Sequence, residues 1–335
     1  MTTAFDIDTP LTQPAATPPR PTPLTRVPVW MWRALMGALA RREHQRFNAV
    51  PVDSVDYYFD IDYAGDGSKA HKLDVIVPRD ADEQLPVYVY FHGGGWTSGD
   101  KAPLTKYCAV QASEGGMIVV NANYRMATKF HAGHMLEDGN SVLDWVARHA
   151  AEFGGDPTRI VLGGDSAGGH IAALLTASAY NPELAEHHGI TPAVHPSNLR
   201  GLVQHCSLPD FSVMFERGFV LGLNFLRMLL PERGNGAVLR AAARYISPIE
   251  WLDNGFPPVF VTTSERDFFY GANLNFMTAL KRRRIDVEAL VYGRKNPNAK
   301  HTWQQDAKHP ESREVYRRLS SFVKKVAGTR QPVTA

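Results

Sequence analysis

Ser166 stands in Gly164-Asp165-Ser166-Ala167-Gly168, the G-x-S-x-G spacing of a sharp turn from strand to helix. Small residues around the serine let the chain reverse closely and expose the hydroxyl at the apex. Upstream, His92-Gly93-Gly94-Gly95 follows the apolar run Val87-Tyr88-Val89-Tyr90-Phe91. Glycines there can aim backbone N–H groups into a site with no Cβ in the way. Together with the N–H of Ala167, such donors would receive the charge that develops when a serine attacks a carbonyl. An exposed serine and a donor-lined hole are the two devices of acyl transfer. The two motifs together point to a serine hydrolase.

A serine nucleophile needs a base, and the base needs an acid that orients it; in this topology both follow the serine, acid first. Of thirteen histidines, His301 lies in a loop between the last expected strand and the C-terminal helix, where an imidazole could return to Ser166. His309 is the rival and is expected to precede or cap that helix. For the acid, Asp267 follows the strand Val259-Phe260-Val261-Thr262-Thr263. Glu265 comes two residues early, and Asp286 opens the next strand. His92 reads as a residue that fixes its loop. His131 and His134 lie close together but lack the spacing or cysteine partner of a zinc site. The chemistry requires no metal and no cofactor.

The elements that must carry these groups are legible as an alternation of strands and helices. Strands are expected at 55–63, 73–77, 87–91, 117–121, 160–163, 199–205, 258–262 and 287–292, the first as a half-exposed alternation of Val55, Tyr57, Phe59, Ile61 and Tyr63 with aspartates. Helices are expected near 104–114, 136–151, 167–180, 271–284 and 310–327. Apolar strands separated by helices predict an α/β class with a mostly parallel eight-stranded sheet covered on both faces. The expected organisation is a catalytic core over 55–206 and 248–330, with residues 1–27 as a Pro/Thr-rich tail. Residues 28–54 read as an N-terminal lid helix. Between two strands, 207–247 is far longer than a median loop and holds Phe215, Phe219, Leu221, Phe225, Leu226 and Leu229. Such a segment is too apolar to be solvated, and it reads as a helical lid insertion. Trp96 and Phe215 are expected to wall the substrate site, with Trp30 and Trp32 as further candidates.

Composition narrows the partners. Thirty-six basic residues against 34 acidic give a net charge of +2, so no strong field favours nucleic acid or an anionic membrane. Lys281-Arg282-Arg283-Arg284 closes an expected helix, where cations complement the dipole and stay solvated. Cys108 and Cys206 read as two buried thiols in a reducing compartment more readily than as one disulfide. Asp6 and Asp8 stand where a secretion signal would be basic, and the longest apolar runs, of about twelve residues, are too short to cross a bilayer. A cytoplasmic protein is expected. Its partner is a small-molecule substrate, and the sequence is compatible with a homodimer.

On His92–Trp96, Tyr124-Arg125, Gly164–Gly169, Asp267, His301, and Asp144-Trp145 with Gly154-Gly155-Asp156-Pro157, the chain resembles the hormone-sensitive-lipase-like branch of the α/β-hydrolase serine esterases. The resemblance covers roughly residues 50–327. It implies a triad of Ser166, Asp267 and His301, and an oxyanion hole of Gly94, Gly95 and Ala167, with Gly93 a weaker candidate. It also implies carboxylic ester hydrolysis, with short- to medium-chain apolar esters favoured. An amidase or arylformamidase would use the same triad. A peptidase of this fold often carries a large further domain. A non-catalytic receptor on the fold typically lacks the histidine. Two departures stand out. After Tyr124-Arg125 the family usually continues Leu-Ala-Pro-Glu, whereas this chain reads Met126-Ala127-Thr128-Lys129. Before His301 it carries the polar run Lys295–Lys300 in place of a short Gly- or Met-containing turn.

Overall fold

The structure, a computed structural model, describes residues 30–31, 33–34, 48, 50–80, 83–216, 219, 221–232 and 234–328. The Pro/Thr-rich tail and most of the expected 28–54 helix lie outside these residues, Trp32 included. Trp30, Met31, Arg33 and Ala34 are helical, and Trp30 and Met31 are exposed.

Eight strands form one sheet: β1 (Val55–Asp62), β2 (Lys72–Pro78), β3 (Leu85–Phe91), β4 (Ile118–Ala122), β5 (Gly155–Asp165), β6 (Leu199–His205), β7 (Val259–Ser264) and β8 (Val287–Tyr292). Their order is β1-β2-β4-β3-β5-β6-β7-β8. The pairs β1–β2 and β2–β4 are antiparallel and all others parallel. Along β3 the side chains alternate between two cores. Val87, Val89 and Phe91 join one layer, and Tyr88 and Tyr90 the other. A strand buried on both faces can afford no polar residue, which is why it reads as an unbroken apolar run.

The helices are α1 (Thr105–Gly115), α2 (Ala132–His149), α3 (Ala167–Tyr180), α4 (Pro182–His187), α5 (Gly222–Leu229), α6 (Gly236–Ala243), α7 (Tyr270–Arg282) and α8 (Pro310–Ala327). Helices α1 and α8 bury Tyr107, Cys108, Tyr316, Leu319 and Phe322 in one layer. On the opposite face α2, α3 and α7 bury Leu136, Val142, Ile171, Leu174, Phe276 and Leu280. In the long segment between β6 and β7, Phe211, Leu226, Leu229 and Leu239 belong to that second layer. Its apolar residues extend the core, which accounts for their number.

The edge strand β1 departs from simple alternation. Its pairing with β2 shifts between Tyr58 and Ile61, and Asp60 has a φ of 56°. Beside the bulge Phe59 stacks on Tyr57, ring centroids 5.5 Å apart, yet stays 55% exposed, so the expected row is covered only in part. Cys108 and Cys206 are separate buried thiols. Among the described residues no helix is long and apolar enough to cross a membrane.

Candidate active site

Strand β5 ends at Asp165 and α3 begins at Ala167, leaving Ser166 alone at the turn. Its φ of 51° and ψ of −118° lie where L-residues are strained, at a cost on the order of 1–3 kcal/mol. The Ser166 N–H donates to the His205 carbonyl at 2.9 Å, which fixes the turn to β6. The crossing is tight: a Cβ on Gly164 would stand 2.5 Å from the Phe91 carbonyl oxygen, and one on Gly168 2.0 Å from the same atom.

Beyond β7, the Asp267 N–H closes a turn onto the Ser264 carbonyl at 2.9 Å. The carboxylate, whose side chain is fully buried, accepts from the Phe269 N–H at 3.1 Å and from the Thr263 hydroxyl at 3.2 Å. The loop after β8 brings His301 to it, with Nδ1 2.8 Å from Asp267 Oδ1 and Nε2 3.0 Å from Ser166 Oγ. A proton on Nδ1 directed at Asp267 leaves Nε2 as acceptor for the serine hydroxyl. The Phe268 ring packs on the imidazole with centroids 4.0 Å apart, and Phe269 lies 5.6 Å away.

Cys206 adjoins this row, its sulfur within 4.8 Å of atoms of Asp267 and His301. Burial, and then the neighbouring carboxylate, push its thiol well above the ordinary range, so the sulfur stays protonated. This is the one cluster of three potential metal ligands among the described residues. A neutral thiol and two groups engaged with each other make a poor ligand set.

The glycine loop lies against the elbow. Gly94 and Gly95 have φ of 124° and 61°. The Gly94 carbonyl is held by the Ser98 N–H at 3.2 Å and the Ser98 hydroxyl at 2.8 Å. Among the described residues the Gly94 and Gly95 N–H groups meet no acceptor. Ala167 opens α3, so its N–H has no partner within the helix. The Gly93 N–H is already spent, donating to Asp165 Oδ1 at 3.2 Å. His92 stacks on Tyr124 with centroids 4.5 Å apart, and its Nδ1 meets the Gly93 carbonyl at 2.7 Å. Burial holds its pKa below the usual value; it braces the loop and does not reach the serine.

Asp165 ties three segments together. It accepts from the Tyr90 hydroxyl at 2.6 Å, from Gly93 in the glycine loop, and from Gln305 Nε2 in the His301 loop at 3.0 Å. Burial pushes its pKa up to about 6, against the opposing pull of the Tyr90 hydrogen bond and of His301.

A family model described as the α/β-hydrolase fold matches residues 88–304, well over half of the chain. The chain belongs to the α/β-hydrolase family. Its division there is the hormone-sensitive-lipase-like one that the motifs resembled. Carboxylesterase NlhH of Mycobacterium tuberculosis is 31% identical over 214 residues, 60% of this chain and 62% of that protein. Esterase LipQ of the same organism is 27% identical over 278 residues, 81% of this chain and 63% of its own length. The match thus spans less than two thirds of these relatives. Among solved structures, an inhibited esterase B from Lactobacillus rhamnosis superposes with a TM-score of 0.78 at 21% identity, over 89% of this chain and 96% of that one. Likeness at that identity is one of fold.

In this α/β hydrolase a cavity of about 230 Å³ opens over Ser166 and His301. Its apolar walls are Pro103, Leu104, Leu221, Phe268 and Phe269. Trp96 and Phe215, expected as walls, are not among them. Trp96 has a φ of 60°, which turns the indole into the core. There it is fully buried and donates Nε1–H to His170 Nδ1 at 3.0 Å. Phe215 lines a separate cavity, under the Arg240 guanidinium at 4.2 Å. Phe268 and Phe269 belong to no motif, and their place directly after Asp267 is the one sequence signal for them.

The rival residues have other occupations. His309 is the N-cap residue of α8, with Nε2 3.5 Å from Asp306. Glu265 accepts from the Arg294 N–H at 2.9 Å. His131 and His134 form a capping box at the start of α2.

Proposed function

We propose that this chain hydrolyses carboxylic esters through a Ser166–His301–Asp267 triad and an acyl-enzyme. The observation that carries the reading is the continuous row from Ser166 Oγ through both imidazole nitrogens to Asp267, at 3.0 and 2.8 Å. Ser166 Oγ attacks the ester carbonyl as His301 Nε2 takes its proton. The tetrahedral oxyanion is received by the N–H groups of Gly94, Gly95 and Ala167. One such donor is worth about 3–4 kcal/mol of transition-state stabilisation. The imidazolium, stabilised by Asp267, then protonates the leaving alkoxide, and the acyl group remains on Ser166. Water, deprotonated by His301, attacks the acyl-enzyme and releases the acid. Carboxylesterase and esterase relatives favour ester bonds as the target.

The substrates in this reading are short- to medium-chain apolar esters. A cavity of about 230 Å³ holds roughly seven or eight water-sized groups, and its walls are aliphatic and aromatic. Residues 207–247 act as a lid insertion on a core of 55–206 and 248–330, with Leu221 reaching from the lid into the cavity. The test is kcat/KM over p-nitrophenyl acetate, butyrate, hexanoate, octanoate, laurate and palmitate, with a matched anilide alongside. The reading expects a maximum at butyrate to octanoate and little turnover of palmitate. A rate that climbs to palmitate, or an anilide cleaved faster than its ester, contradicts it.

A further inference from the structure

A second cavity, of about 290 Å³, adjoins the catalytic one and shares Gly99 and Asp100 with it. Its character is different. The rim carries Arg33, Lys69, Arg125 and Lys129 against the single carboxylate of Asp100. The Arg125 charge is answered by Asp138 and Glu137. The Asp100 carboxylate is itself engaged, accepting from the Ala102 N–H at 2.8 Å and from Asn123 Nδ2 at 3.3 Å. Among the described residues Arg33, Lys69 and Lys129 have no ion-pair partner. A wall residue, Thr97, has a buried hydroxyl with no hydrogen-bond partner, and a native structure leaves few such groups unexplained.

Lys129 closes the Met126–Lys129 stretch that lines this cavity, and its side chain is exposed at the rim. With Arg33 and Lys69 it makes the cavity beside the catalytic site cationic. We propose that this second cavity receives an anionic group of the ester, a carboxylate borne on the arm directed past Gly99, while the other, short apolar arm fills the space over Ser166. The inference rests on the ester-hydrolase reading and specifies its substrate class.

Two matched pairs distinguish the arm that bears the charge. On the alcohol side, 4-butyryloxybenzoate is compared with 4-butyryloxybenzamide. On the acyl side, the p-nitrophenyl hemiester of glutaric acid is compared with p-nitrophenyl valerate. In one pair the charged ester is expected to have the higher kcat/KM, through a lower KM, with a preference that shrinks as salt is raised. Lys129→Glu and Lys69→Glu should each lower kcat/KM for that ester by about tenfold. Lys129→Met should do so by less, and all three should leave the neutral esters within about twofold. Neutral esters hydrolysed with no charged partner preferred, or variants that slow charged and neutral esters alike, would overturn this inference and leave ester hydrolysis standing. No hydrolysis of any ester, charged or neutral, would remove the reading on which it rests, and this inference with it.

Discussion

A methyl group at Gly168 probes the donor geometry directly. A Cβ there would stand 2.0 Å from the Phe91 carbonyl oxygen, 2.4 Å from its carbon and 2.5 Å from the His92 oxygen. All three are backbone atoms at the end of β3, so no side chain can turn aside. Ordinary contact begins at 3.4 Å, so the start of α3 and the end of β3 must part by about 1.4 Å (3.4 minus 2.0). One side of that gap carries the Ala167 donor and Ser166; the other leads into Gly94 and Gly95. Misplacement by about 1 Å costs on the order of 10²-fold, and loss of one oxyanion donor about 10²–10³-fold. Gly168→Ala should therefore lower kcat by about 10²–10³-fold with KM within about threefold, and cost about 1–3 kcal/mol of stability. Steady-state kinetics on p-nitrophenyl butyrate beside urea unfolding reads both quantities. Gly133→Ala in α2 is the control, because its Cβ would meet nothing closer than His188 Nδ1 at 3.8 Å. It should leave kcat unchanged and stabilise by about 0.5–1 kcal/mol. A Gly168→Ala protein with kcat within threefold of wild type would refute the reasoning.

Three other outcomes follow from the same geometry. Asp165 is held at about 6 against 3.8, so the native state keeps its proton where the unfolded chain has lost it. The stability this group contributes is therefore fullest below pH 3.8 and falls as the pH rises to about 6. Asp165→Asn should gain on wild type across that window by about 1–3 kcal/mol; urea unfolding at pH 4.5 and 7.5 checks it, and a pH-independent difference contradicts it. Trp96→Phe removes the donor to His170 Nδ1, which burial lowers to a pKa of about 4 and so keeps neutral. Thermal or urea unfolding should show a loss of about 1–3 kcal/mol, with KM for short esters unchanged because Trp96 does not line the cavity. His301→Ala should lower kcat by about 10⁴-fold or more, while His309→Ala, a change at a helix cap, stays within about twofold.

The frame of the molecule was legible because two-sided burial writes itself plainly: Val87–Phe91 and Ile160–Gly163 can be little else than inner strands. Ser166, Asp267 and His301 were nameable as candidates because each follows a strand in the order that the fold requires, and the structure brings the three side chains within hydrogen-bond reach. The walls were not. Trp96 follows three glycines and looks like a pocket aromatic, yet its backbone torsion sends it to His170. That torsion is a tertiary property with no local pattern. The Asp60 bulge likewise overrode a clean alternation in β1. The tie made by Asp165 has no local signature, since its three partners lie at positions 90, 93 and 305. The cationic cavity is assembled from residues as far apart as 33 and 129, a grouping that no local pattern shows.

Ser166 as the acyl-accepting nucleophile is the claim on which everything else depends. Incubation with a p-nitrophenyl phosphonate, followed by intact-mass analysis and peptide mapping, tests it alongside the hydrolysis rate of Ser166→Ala. The account predicts one adduct per chain, on the peptide containing Ser166, with loss of activity in step with labelling. It also predicts neither adduct nor hydrolysis in Ser166→Ala. A Ser166→Ala protein that hydrolyses p-nitrophenyl butyrate at the wild-type rate, or an adduct carried elsewhere, would contradict it.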